Sequence, residues 1–400
     1  MREIIYAWNY REWGGAQIYF LSLMKEAKKR YAVTALIPAD SEPKILQYLD
    51  SIEVPFEFVS TDPCEGLPDN KIRRKRAILT SERKLVDEIL ARPKLHDTIV
   101  HVDLGFWQSF LALYRLCRKM NVFMTVHTGL PAYSGWRAWR WKVKGKIISC
   151  LSTFHLLASN KEAKGSLRAY IGATKFGQIE VTYSGIDPDE INTVTEYLPP
   201  KSIVRRRYGI PENAPILVTV GQFVERKGCW ILLESLRQLK NAGKDFVFLW
   251  LSMAPPDEET RKRIEAFDLG DSFRLMDAEE IGESRSDLLT LLGSADIFVL
   301  PSLKEGLPIA LIEAMALGLP CISTAVNAIP EAIDNERNGI LIKPNDPTAL
   351  REAIARLLND GTLRERLGAA AKRAAFEEFN SKISARRTVE LYDEVWQTSG

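Results

Sequence analysis

Twice along this chain, short apolar runs alternate with stretches of helical period, and that rhythm restricts the fold more than any single residue does. In the first half the runs cover residues 4–8, 32–37, 54–59, 98–102 and 122–126. Helical patterns at about 16–30, 42–51, 77–91 and 106–120 separate them. The runs are nearly continuous rather than alternating, as in strands covered on both faces. Such strand–helix alternation argues for βαβ units and a parallel sheet. The rhythm restarts after Pro199-Pro200. Strands are then expected at 215–220, 246–251, 273–276, 297–300 and 320–323, and helices at 229–241, 258–266, 286–293, 308–317 and 347–358. A last helix is expected at 381–398.

Four hundred residues exceed what one hydrophobic core usually supports. The expectation is two doubly wound α/β domains, residues 1–190 and 191–379, joined near 187–200. The C-terminal helix, about 380–400, is expected to pack back on the first. Ligand sites in such sheets sit at the carboxyl ends of the strands, and two facing sheets make a central cleft.

Composition narrows the class. With 46% hydrophobic and 26% charged residues and no low-complexity tract, the chain reads as a soluble globular enzyme. Residues 1–8 are too short and interrupted for a signal peptide and read as a strand. No window reaches the roughly 18 unbroken apolar residues of a membrane span. The five cysteines at 64, 117, 150, 229 and 321 form no C-x-x-C pair, which fits reduced thiols in a cytoplasm. Four scattered histidines give no metal site. The net charge of +2 hides an asymmetry: residues 1–185 hold 28 Lys+Arg against 18 Asp+Glu, and the remainder 26 against 34. A basic first half suits an anionic partner, such as a membrane surface or a phosphorylated acceptor.

The loops after the strands carry the chemistry. After the expected strand 297–300 comes Pro301-Ser302-Leu303-Lys304-Glu305-Gly306-Leu307-Pro308, then a helix with Pro308 at its first position and Gly318 just past its end. The Gly306 and Leu307 amides fall at the helix N-terminus, a natural site for phosphate. Glu313 follows Glu305 by eight residues, roughly two turns into the helix. Two carboxylates beside an anion site suggest a ligand rich in hydroxyls that also carries phosphate.

Three other loops point the same way. Residues 221–228, GQFVERKG, bring Arg226 and Lys227 to a strand-to-helix switch, where a guanidinium fork and an ammonium can clamp a diphosphate. Gly14-Gly15, after the first strand, let backbone approach a ligand at another helix N-terminus, although G-x-G-x-x-G is absent. His127 ends a strand before a Gly/Pro loop and is able to donate to a sugar hydroxyl or carbonyl oxygen. His101 also ends a strand, but no glycine follows it, so it ranks lower. Asp187-Pro188-Asp189 is formally D-x-D; its proline and its place at the joint favour a linker turn over a metal site.

Residues 134–146 mix three tryptophans with five cations, as a segment lying at a membrane interface does. Burial against a neighbouring helix is equally allowed. A second basic cluster spans 71–76. Neither belongs to a nucleic-acid-binding module, so no nucleic-acid partner is expected.

Taken together, GQFVERKG, ADIFVLPSLKEGLPIALIEAMALGLPCIST, AIPEAI and NGILIKPNDPTAL resemble the retaining glycosyltransferases of family 4, of the group 1 type. The first half matches more loosely, through Gly14-Gly15, His127 and Tyr183-Ser184-Gly185-Ile186-Asp187. The resemblance implies a GT-B fold of two Rossmann-like domains facing a cleft. It implies transfer of a sugar from a nucleoside-diphosphate sugar, UDP-hexose by default, to a hydroxyl acceptor, in cell-surface polysaccharide or glycolipid synthesis. By position, Arg226 and Lys227 would hold the diphosphate and Glu313 the ribose hydroxyls. Glu305 would hydrogen-bond the donor sugar, with the Gly306 and Leu307 amides and Gly221 close by. His127 would reach the sugar from the opposite domain, and Gly15 would approach the phosphates or acceptor. No metal or other cofactor is implied. Gln222 stands where many relatives have a second arginine, and Asn327 where glycine is frequent. The acceptor is expected to be a glycan or lipid-linked glycan, and the location cytoplasmic, with peripheral contact at an anionic membrane. Alternatives are a non-catalytic nucleotide-sugar-binding partner in a glycan-assembly complex and a same-fold epimerase or phosphorylase.

Overall fold

The computed structural model describes residues 2–9, 11, 14–59, 71–93, 97–103, 110–252, 255–282 and 284–398, apart from the side chains of 71, 72, 74, 75 and 398. Cys64, loop residues 10, 12 and 13, residues 106–109 of an expected helix, and four side chains of the 71–76 cluster lie outside the described residues. The chain divides into two compact units, Met1–Ser184 with Ser381–Gly400, and Gly185–Asn380.

The first unit is built on seven parallel strands: β1 (Glu3–Trp8), β2 (Ala32–Pro38), β3 (Phe56–Val59), β4 (Thr98–Asp103), β5 (Asn121–Val126), β6 (Phe154–Ala158) and β7 (Glu180–Val181). Their order in the sheet is β3-β2-β1-β4-β5-β6-β7. The expected pattern lacked β6 and β7. His155 interrupts the apolar run of the one, and the other has only two residues. Successive residues of β1 face opposite layers: Ile4, Tyr6 and Trp8 enter one core cluster, Ile5 and Ala7 the other. Both faces are covered, which is why these strands lack polar alternation.

The terminal helix Ser381–Thr398 covers the Tyr6 face with Val389, Tyr392 and Trp396. Tyr392 is fully buried, with its hydroxyl 3.3 Å from that of Tyr6 and 2.6 Å from His101 Nδ1. His101 Nε2 meets Thr125 Oγ1 at 2.8 Å. His101 is therefore a satisfied core histidine. Leaving such a buried group unpaired costs about 1–3 kcal/mol, so this network selects one seating of the helix.

The second unit has six parallel strands: β8 (Ile216–Val220), β9 (Val247–Leu251), β10 (Phe273–Met276), β11 (Ile297–Leu300), β12 (Cys321–Thr324) and β13 (Ile340–Ile342). Their order is β10-β9-β8-β11-β12-β13. The short strand β13 and the helices Lys201–Arg207 and Gly361–Glu378 extend the expected pattern. The division falls earlier than residue 190. Asp187 caps a helix, Pro188–Glu196, whose Ile191 and Val194 are buried. Its side chain accepts the Asp189 N–H at 3.1 Å, so Asp187-Pro188-Asp189 begins a helix instead of forming a turn.

In both sheets strand order reverses beside the first strand, between β1 and β4 and between β8 and β11. Loops leaving the carboxyl ends of such neighbours diverge to opposite faces and leave a crevice, the usual ligand position in this architecture.

Candidate functional site

At the second switch point, the loop after β8 and the loop after β11 lie against each other. Gly221 leaves β8 with φ +142°, and a Cβ there would stand 3.3 Å from Lys227 Cε. Residues Glu225–Lys227 form one 3-10 turn, closed by Gly228 at φ +74°. A Cβ on Gly228 would fall 2.0 Å from the Pro301 carbonyl oxygen. Only glycine meets both demands. The Arg226 carbonyl then accepts from Leu303 N–H at 2.8 Å, joining the two loops through backbone.

The seam converges on Glu305. Its Oε1 accepts from Lys227 Nζ at 2.6 Å and from Ser302 Oγ at 2.9 Å, while Arg226 Nη1 lies 3.8 Å away. Lys227, Ser302 and Glu305 are buried, whereas half of the Arg226 side chain is exposed. A buried carboxylate needs such a partner, since isolating either charge in low dielectric costs several kcal/mol. Among the described residues no hydrogen bond reaches Glu305 Oε2, and none is donated by Gly306 or Leu307 N–H. Asn327 takes a left-handed φ of +45° and accepts the Glu305 N–H through Oδ1 at 3.2 Å. Asparagine tolerates that conformation better than most residues. Asn327 thereby anchors the Glu305 backbone. Gln222 is exposed.

The following helix is Ile309–Ala316, and Pro308, with ψ 116°, caps it instead of standing at its first position. The Gly306 and Leu307 amides thus precede the first turn. Glu313 is the fifth helical residue, roughly one turn in and not two. Past the end, Gly318 N–H donates to Met315 and Leu319 N–H to Ala314, a Schellman closure. Glu313 is buried, and its Oε1 accepts from Arg285 Nη2. Arg285 Nε donates in turn to Glu190 Oε1 at 2.8 Å and Oε2 at 2.9 Å.

Gly15 and His127 belong to the first unit. Gly15 is the exposed first residue of the helix Gly15–Ala27, whose first turn holds no acid. His127 follows β5; its carbonyl accepts from Asn160 Nδ2 at 3.0 Å, which fixes the loop. Its ring stands edge-on to Tyr19, with centroids 5.2 Å apart. Burial pushes the imidazole down to about 4, so it is neutral at pH 7. His127 Nε2 is enclosed without a hydrogen-bond partner among the described residues, Asp103 Oδ2 being 3.8 Å away. An enclosed, unpaired ring nitrogen of this kind calls for explanation by a ligand group or water.

Of the expected residues, Gly221, Arg226, Lys227, Glu305, Gly306 and Leu307 come together around the seam, and Glu313 lies on the helix that follows. Ser302, Arg285 and Glu190 have contacts that sequence reasoning did not foresee. Ser302 stood in the loop before Glu305 without a role. No motif marks the other two. An ammonium, a guanidinium and two unbonded N–H groups around a carboxylate suit an anion that also carries hydroxyls.

Residues 200–374 match the model of the family described as "Glycosyl transferases group 1". The putative colanic acid biosynthesis glycosyltransferase WcaL of Escherichia coli (strain K12) is 32% identical over 194 residues. That stretch is 45% of this chain and 46% of the relative, so the chain spans about half the length of the curated relative it matches. The crystal structure of a glycosyltransferase from Rickettsia africae ESF-5 superposes with a TM-score of 0.77 at 20% identity, over 98% of both chains. Anabaena Alr3699/HepE in complex with UDP-glucose gives 0.73 at 15% identity, over 98% of this chain and 100% of that one. Likeness at these identities carries the fold, the α/β GT-B architecture of two Rossmann-like domains. Residues 200–374 thus resemble the glycosyl transferases group 1 family, and the fold around them is the one these solved structures share.

Proposed function

We propose that this protein is a retaining glycosyltransferase. It moves a sugar from a nucleoside-diphosphate sugar, of UDP-hexose type, to a hydroxyl acceptor in cell-surface polysaccharide or glycolipid assembly. The observation that carries this reading is the convergence of Lys227, Arg226 and Ser302 on Glu305, beside the unbonded Gly306 and Leu307 N–H groups.

In the resting site Glu305 holds the Lys227 ammonium in place. A bound diphosphate takes over that ammonium together with the Arg226 fork, while Glu305 turns to a donor-sugar hydroxyl. As the sugar–phosphate bond breaks, negative charge builds on the phosphate oxygens. Fixed cations and N–H groups stabilise it without reorganising at that moment. The sugar carbon becomes oxocarbenium-like, and the acceptor hydroxyl attacks from the face the phosphate leaves, passing its proton to that phosphate. Within the first unit, the neutral His127 has a ring N–H able to donate to a hydroxyl, and Gly15 opens a helix N-terminus whose first turn holds no acid. Lys227 and Arg226 supply the charge a divalent metal would otherwise bring, so the reaction is proposed to need none.

The acceptor reading rests on the first unit. Trp136 and Trp139 stack at 4.6 Å and are 66% and 53% exposed, on a helix, Gly135–Ser149, with five cations and no acid. Trp141 turns inward against Tyr133 and Tyr170. No described helix is long and apolar enough to cross a membrane. Exposed aromatics on a basic helix suit contact with the surface of an anionic bilayer, where a lipid-linked glycan acceptor resides.

The testing experiment is incubation with a panel of nucleoside-diphosphate hexoses, followed by NMR of the sugar released or transferred. The expected result is nucleoside-diphosphate release, unchanged by a chelator, with the donor's anomeric configuration kept. Binding without any release would instead favour a non-catalytic binding partner, and an inverted product would overturn the retaining mechanism.

A further inference from the structure

The reaction just described gives Arg285 no part, yet its side chain is 11% exposed and spans two carboxylates. Its backbone is held at the start of the helix Arg285–Gly293 by a capping box. Ser284 Oγ accepts from Asp287 N–H at 3.0 Å, and Asp287 Oδ2 accepts from Ser284 N–H at 3.2 Å. From there the guanidinium gives Nε to both oxygens of Glu190 and Nη2 to Glu313 Oε1. Glu313 Oε2 takes no hydrogen bond among the described residues, and it is not among their enclosed, unpaired side-chain atoms.

A guanidinium facing a single carboxylate prefers a two-bond fork that uses both oxygens. Here Glu190 occupies the Nε edge, so the Nε–Nη2 fork is closed to Glu313 and one oxygen stays open. Arg285 also compensates the charge of Glu313, which at 3% side-chain exposure would otherwise be an isolated buried anion. The result is a carboxylate with one oxygen pinned and the other presented.

We infer that Arg285 is the positioning residue of Glu313, holding it by Oε1 so that Oε2 accepts from a ribose hydroxyl of the nucleoside diphosphate. Glu190 is the second support, setting how Arg285 can bond. This inference rests on the donor reading above. It makes a separate claim, that discrimination at the ribose depends on a side chain that touches neither ribose nor phosphate.

The test is calorimetric titration of UDP, 2′-deoxy-UDP and 3′-deoxy-UDP into wild type, Arg285→Met, Arg285→Lys and Glu190→Gln. Wild type is expected to prefer UDP over at least one deoxy analogue by about tenfold, the worth of one hydrogen bond to a charged group. Arg285→Met should weaken UDP about five- to tenfold and leave that analogue unchanged, so the preference collapses toward one; Arg285→Lys should restore part of it. Unchanged binding of the analogue reports an intact fold. If Arg285→Met does not fold, Glu190→Gln carries the test, with a smaller loss, roughly threefold, again confined to UDP. Variants that keep the wild-type preference would overturn the inference and leave the donor reading standing. So would a wild type that binds UDP with no ribose preference. A wild type that binds none of UDP, GDP and ADP would overturn the donor reading, and the inference with it.

Discussion

The Lys227 ammonium lies 2.6 Å from Glu305 Oε1, with both side chains about nine-tenths buried. Each is the other's compensation in the resting protein, so removing one has a cost in stability as well as in chemistry. Lys227→Met should lower turnover by roughly 100- to 1000-fold, as for a lost charge-stabilising donor. It should also destabilise the fold by about 3 kcal/mol through the stranded Glu305 carboxylate. Adding Glu305→Gln is expected to recover most of the stability and none of the turnover, measured by urea unfolding and donor turnover. A double variant as unstable as the single one would contradict the pairing.

The seam between the two loops makes a second demand. Gly228→Ala combines a positive φ with a Cβ 2.0 Å from the Pro301 carbonyl oxygen, whereas at Gly243 (φ +70°) a Cβ meets nothing within 4 Å. Gly243→Ala should therefore cost about 1 kcal/mol of strain alone, and Gly228→Ala several kcal/mol together with donor binding. Equal destabilisation of the two variants would contradict the close approach of the loops.

Three histidines set a pH dependence. Burial pushes His101 down to about 3, with repulsion from His127 adding to it, and pushes His127 and His155 to about 4. Unfolded imidazoles titrate near 6.5, so between that value and 4 the unfolded chain binds more protons than the folded one. The stabilising contribution is complete above about pH 6.5 and is lost as pH falls toward 4 and below. From pH 7 to 5 each histidine should cost about 2 kcal/mol of unfolding free energy. Denaturant titrations across that range check it, and a flat profile would contradict the neutral, buried imidazoles.

The stacked pair Trp136 and Trp139 predicts a surface property. Wild type should co-sediment with vesicles containing anionic lipid, more weakly at high salt, and Trp136→Ala/Trp139→Ala should remain largely in the supernatant. Neutral vesicles should retain little of either. Wild type left wholly in the supernatant would contradict the membrane contact.

Much of this was legible in the residues because each loop sits beside the strand that aims it. The Glu305–Glu313 segment and the Arg226-Lys227-Gly228 loop are contiguous motifs, and parallel strands with a known order bring their carboxyl ends to one edge. Arg285 and Glu190 escaped because their meeting with Glu313 joins separate elements: 28 residues part Arg285 from Glu313, and 95 part it from Glu190. Such a contact has no local period to betray it. Glu313 reads as two turns into its helix only if all eight residues from Glu305 are counted as helical, whereas the helix starts at Ile309, after the extended Pro308. The expected boundary at residue 190 misses the division after Ser184 for a similar reason, since Asp187 and Pro188 look like a linker turn until their helix is seen capped and buried.

The central claim, that the second unit grips a nucleoside-diphosphate sugar through Lys227 and its neighbours, is tested most directly by melting temperature. A ligand at 100 times its dissociation constant stabilises the folded state by about 2.7 kcal/mol, a shift of several degrees. Wild type should show that rise with at least one nucleoside-diphosphate sugar, and Lys227→Met should not. No rise with any donor, or the same rise in Lys227→Met, would contradict the account.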